Sequence, residues 1–122
     1  MQDCPEELDF ISLFECMPVK KDPNEDFWYD ESTFVFVNKT NRFKVNLSPF
    51  YHSFSLSVTD LEDDEVFYYR FETVTKIEII NDSKESKAIR LFIDEDRDRF
   101  IMIMEITFKP KFKVIINEVF DT

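Results

Sequence analysis

The chain has 122 residues and no glycine among them. Glycine takes a left-handed backbone at no steric cost and lets a main chain close tightly on a phosphate. Its absence removes the Walker loop, the dinucleotide-binding fingerprint and the glycine elbow of the α/β hydrolases. Left-handed turn positions are expected to fall to Asn and Asp, whose short polar side chains tolerate that conformation. The chain also holds one His and two Cys. So little nucleophilic or acid–base equipment leads us to expect a protein that is not an enzyme and carries no cofactor.

What remains is a strand-forming chain. Phe43, Val45 and Leu47 alternate with Arg42, Lys44 and Asn46, and Phe54, Leu56 and Val58 alternate with Ser53, Ser55 and Ser57. A period of two marks half-buried strands with one apolar and one wet face. Thr33–Val37, Ala88–Ile93 and Phe100–Ile106 are apolar on both parities, which predicts strands covered on both faces or packed at a tight centre. Phe112, Val114 and Ile116 form a last strand. Turn-forming residues recur between these runs, at 39–41, 48–50, 60–64, 81–86, 94–98 and 109–110. That spacing predicts a mainly β fold: an antiparallel sandwich, a curled sheet or a small barrel of about seven strands.

Two segments need a decision. From Phe67 to Ile79 the odd positions keep one phase, and Glu72-Thr73 is a poor pair for a tight hairpin. We therefore expect one long, bent strand over 65–80. In a meander that choice puts the acidic loops 60–65 and 94–98 at the same end of the sheet. Residues 5–16 open with Pro5, Glu6 and Glu7, as a short helix does, with an edge strand over Phe10–Phe14 as the alternative. The length suits one domain, divided into an acidic N-terminal segment (1–32) and an antiparallel β core (33–122).

No apolar run is long enough for a spanning helix, and the first residues lack the basic and apolar regions of a secretory signal. Cys4 and Cys16 match no metal or redox spacing and read as free thiols in a reducing compartment, so a cytoplasmic location is expected. The 26 acidic and 15 basic side chains leave a net charge of −11. Residues 1–65 hold fifteen acids and five bases, net −10, whereas residues 66–122 hold eleven and ten, net −1. Such a field repels nucleic acid and anionic lipid and attracts basic proteins. The expected partner is a basic protein, with no nucleic acid and no membrane, and the chain itself is a monomer or a weak homodimer.

Candidate contact residues follow from that charge. Asp60, Glu62, Asp63, Asp64 and Glu65 form an acidic run without a base. Asp94, Glu95, Asp96 and Asp98 form a second, mixed with Arg97 and Arg99. With Glu105 at the twelfth place, the second run imitates a calcium loop, but Arg99 stands where that loop needs glycine, and strand-like flanks replace its helices. Metal binding through these carboxylates is an alternative to partner binding, and solvated loops are a third reading. Trp28 and Asp30 lie in the run Glu25–Glu31, where three adjacent aromatics wrapped in acids form either a cap on the core or an interaction arm. His52 stands alone at a strand start and reads as a structural residue. The lysines of Lys109–Lys113 suit the protection of an edge strand.

A small, acidic, β-rich chain without catalytic groups resembles the small bacterial immunity proteins that guard a producing cell against its own toxins. The run Phe71-Glu72-Thr73-Val74-Thr75-Lys76-Ile77-Glu78-Ile79 is similar to a Phe-x-x-Val-x-x-Ile-x-Ile rhythm found in some of them. The resemblance implies a dedicated cognate toxin, such as a basic nuclease or other effector domain, neutralised by binding. It assigns no site residue. A phage or mobile-element inhibitor of a nucleic-acid-handling defence complex fits the same composition.

Overall fold

A computed structural model describes residues 1, 3–94 and 100–120, the last of these by its backbone. It is mainly β: one helix, α1 (Glu7–Phe14), and nine strands among the described residues. The strands are β1 (Val19–Lys20), β2 (Ser32–Val37), β3 (Asn41–Ser48), β4 (Ser53–Asp60), β5 (Glu65–Phe71), β6 (Val74–Asp82), β7 (Lys87–Ile93), β8 (Phe100–Lys109) and β9 (Lys113–Phe120). They form two antiparallel sheets, in the orders β1-β2-β3-β4-β5 and β6-β7-β8-β9. Neither sheet closes on itself, so among the expected architectures the sandwich is the one adopted.

The inward residues of both sheets join one hydrophobic cluster that includes Phe34, Phe43, Val45, Leu56, Ile89, Leu91, Met104 and Phe108. Edge-on aromatic contacts tie the layers together, Phe43 to Phe108 at 5.3 Å and Phe67 to Phe112 at 5.4 Å between centroids. Such contacts add to the area buried by the rings themselves.

The segment 65–80 is two strands in different sheets, which corrects the single bent strand. The inward phase passes to even Val74 at the start of β6, which is fully buried, and the bulge between Val74 and Lys76 returns it to the odd residues Ile77 and Ile79. Changing sheets spares the chain the tight hairpin turn that those two residues disfavour. The consequence for the acidic loops also changes. The Asp94 N–H donates to the Thr73 carbonyl at 3.1 Å, so Asp94 sits beside the end of β5. Glu65 begins β5, roughly 20 Å away along a strand of that length.

The apolar runs with both parities filled are not all covered twice. In β2, Phe34 is buried while Val35 and Val37 are exposed. Ile101 and Ile103 of β8 are only half-buried. Outward β-branched and aromatic residues shelter one another across neighbouring strands, which needs no second layer.

Residues 7–14 are helical, as expected. The Glu6 N–H donates to Asp9 Oδ2 at 2.9 Å, and Phe10, Leu13 and Phe14 face the core. Phe14 stacks on Phe36 at 4.4 Å, so α1 fills the side of the sandwich next to β2. Three described residues have positive φ: Glu15, His52 and Asp63. Asn supplies none of them, contrary to expectation. Glu15 ends α1 in the left-handed region, a place that glycine usually takes. Its carboxylate reaches Lys109 at 3.1 Å and Lys87 at 3.8 Å, and these contacts offset the steric cost.

Candidate functional site

The outer face of the five-stranded sheet is concave. Its register sets Thr33, Asn46, Ser55 and Arg70 in one row across β2–β5, and Val35, Lys44, Ser57 and Tyr68 in the next. The interior strand β4 carries only Ser53, Ser55 and Ser57 there, between longer side chains on β3 and β5. Small residues on a middle strand leave a trough, here a groove of about 770 Å³. Tyr51 and Tyr68 wall it, and Glu31, Glu65 and Glu72 lie at its rim with Lys44 and Arg70. Arg70 is held by Glu72 at 2.8 Å, and the Ser57 hydroxyl donates to Glu65 at 3.4 Å. Tyrosine, serine and asparagine around a shallow concavity combine rigid amphipathic rings with adaptable hydrogen-bonding groups, a composition suited to protein contacts. The Ser-x-Ser-x-Ser alternation was the signal for it, legible only once β4 is known to be flanked by strands on both sides.

The acidic turn 60–65 adjoins this groove, and its carboxylates have different tasks. Asp60 Oδ1 accepts the N–H groups of Glu62 at 2.8 Å and Asp64 at 3.0 Å, so Asp60 builds the turn. Asp63 takes the left-handed position and pairs with Arg42. Glu65 lines the groove. Glu62 and Asp64 are exposed.

The other predicted residues are not brought to this place. Asp94 lies at the far end of β5, and Glu95, Asp96 and Asp98 fall outside the described residues, as do five of the twelve positions of the calcium-like loop, 95–99. Among the described residues no group of three His, Cys, Asp or Glu side chains is arranged to hold a metal ion. Trp28 is half-buried, packs on the hydrophobic cluster beside Phe27, and accepts the Phe50 N–H on its carbonyl at 3.0 Å. Tyr29 is the exposed member of the trio. Asp30 is buried, which corrects its place among exposed contact residues. Its carboxylate accepts the Asp22 N–H at 3.1 Å, because the loop carrying Pro23 offers that amide no main-chain acceptor.

A second acidic concavity was not foreseen. Asp3, Asp9, Glu78 and Asp82 line a cleft between α1 and β6, with Lys76 among them. The excess acid of the first 31 residues was visible, but its union with acids on β6 depends on the fold. Lys76 lies 3.3 Å from Glu78 and 3.8 Å from Asp3, and Asp82 accepts the Ser12 hydroxyl at 2.7 Å, so these charges are largely engaged within the molecule.

The thiols are poorly suited to nucleophilic work. Burial pushes Cys4 up to about 12 and raises Cys16 as well, and a protonated thiol is a weak nucleophile. His52 turns Nδ1 toward the Val74 carbonyl at 3.3 Å, and its own carbonyl accepts the Val74 N–H at 3.1 Å. It joins the β3–β4 turn to the start of the second sheet.

A chain of a solved contact-dependent growth inhibition toxin–immunity protein complex from Klebsiella pneumoniae 342 has the same fold. The match has a TM-score of 0.75 at 20% sequence identity and covers 97% of both chains. No protein-family model matches this chain, and no curated protein matches its sequence. Among the described residues no helix is long and apolar enough to cross a membrane.

Proposed function

We propose that this protein is an immunity protein that binds a cognate basic toxin, such as a nuclease, and neutralises it without catalysis of its own. One observation carries the reading: a chain from a toxin–immunity complex shares this fold over almost its whole length. Two features support it. The net charge of −11 favours fast, salt-sensitive association with a cationic partner. The serine-floored groove, bordered by Glu65 and the exposed Glu62 and Asp64, offers a rigid polar surface that a protruding basic segment fits. Asp94, at the other end of β5, belongs with Glu95, Asp96 and Asp98 in sequence to a second acidic contact, and Trp28 is a further contact.

The deciding experiment is protection. The toxin candidate encoded next to this chain is expressed in a sensitive cell with and without it, and growth is followed. Protection together with a purified one-to-one complex is the expected result. Persistent killing by every neighbouring candidate, with no complex formed, defeats the proposal.

A further inference from the structure

The sandwich has four sheet edges, and three of them are blunted. β1 is two residues long. β5 pairs with a register shift at Val58/Thr59, and a bulge spoils an edge for further pairing. β6 is covered by the N-terminal segment, where Asp3 bridges Lys76 and its carbonyl accepts the Ile77 N–H at 3.0 Å. β9 differs. It pairs with β8 from Phe120 to Lys113 without a shift, and among the described residues nothing pairs with its other side. Lys113 guards its start, but its centre, Val114-Ile115-Ile116-Asn117, carries no charge.

The interior is also open along this side. Ile116 shares a row with Ile77, Leu91 and Met104, all at most 2% exposed, yet it is itself 47% exposed because the sheet ends there. Tyr69, inward on the facing β5, is 40% exposed. On the opposite side α1 does the sealing. A regular strand with an uncharged centre beside an open core is the edge that folded proteins normally avoid presenting.

We propose that a second copy of this chain pairs with β9, antiparallel about a two-fold axis, joining the two four-stranded sheets into one. Charge selects this occupant. Residues 100–120 hold Glu105 and Glu118 against Lys109, Lys111 and Lys113, net +1 in a chain of net −11. Two acidic copies meet there without repulsion, and a basic toxin is not drawn there. Pairing that keeps outward residues outward joins positions of equal parity. With the axis at Ile115, that residue meets its own copy, Val114 lies against Ile116 of the second copy, and Lys113 lies against Asn117. No like charges oppose each other. The dimer is independent of the immunity reading.

Sedimentation velocity and native mass spectrometry over a wide concentration range test it. The expected result is a monomer–dimer equilibrium between 14.8 kDa and twice that mass. Ile115→Lys puts two ammonium groups face to face across the axis, and it should weaken dimerisation by about tenfold or more. Circular dichroism, and thermal melting at concentrations where the parent is monomeric, should stay unchanged, because the side chain is on the outer face. Ile116→Lys should act in the same direction. A 14.8 kDa species at every concentration overturns the proposal, and so does a dimer that both variants leave intact.

Discussion

The Lys87 ammonium lies 2.7 Å from Asp82 Oδ1 and is almost wholly buried. It also donates to the Ser12 carbonyl at 3.1 Å and faces Glu15 at 3.8 Å. One cation thus pins the end of α1 to the β6–β7 hairpin. Removing a single partner strands a buried charge, which costs more than the intact pair contributes. Asp82→Ala is expected to lower unfolding stability by about 2 kcal/mol, and Lys87→Met with Asp82→Leu by less. Urea unfolding of the three proteins checks the order.

Acid should weaken the same junction. The hydrogen bond from Lys87 holds the Asp82 carboxyl below its ordinary range, and that from Lys109 does so for Glu15. Folded values below the unfolded ones mean that the stability is present above the ordinary carboxylate range. It is lost as pH falls through the lower, folded values. Stability followed from pH 6 downward should therefore fall less steeply in Asp82→Asn than in the parent protein. Equal slopes would show that the pair is not linked to acid unfolding.

Asp60 and its neighbours separate a folding role from a binding one. Asp60→Ala removes the acceptor for two turn amides and should cost about 1 kcal/mol of stability, with Asp60→Asn retaining most of it. Thermal unfolding reads the difference.

Glu62 and Asp64 are exposed and build nothing. Their double reversal to lysine should leave stability within about 0.5 kcal/mol. If the proposed basic toxin is the partner, association should slow by about tenfold, and its salt dependence should flatten. Stopped-flow association rates at two ionic strengths test this, and unchanged rates would remove the turn from the contact surface.

Ser55→Tyr fills the floor of the groove from a solvent-facing position. The fold should persist, and if the proposed toxin enters this groove its affinity should fall by about a hundredfold or more, since a bulky ring now occupies that space. Calorimetric titration measures it. An unaltered affinity would place the contact on another face.

Strand positions were legible because alternation of Phe, Val and Leu with Ser, Lys and Asn is a local pattern, and a half-buried strand imposes it residue by residue. Helix α1 was legible for a similar reason, in Pro5 and the acids that follow it. Local alternation reports which way a side chain points and nothing about which sheet receives the strand. Phe67 and Ile79 therefore share a phase while belonging to different sheets, and the single-strand reading failed. The composition of the chain determined the absence of glycine-built sites and the surplus of acid. Tertiary structure decided which acids do what. Asp30 turns inward and Asp82 holds a buried lysine, because each answers a hydrogen-bonding group that the packed chain brings to it, whereas Asp60 shapes its turn through amides only two and four residues on.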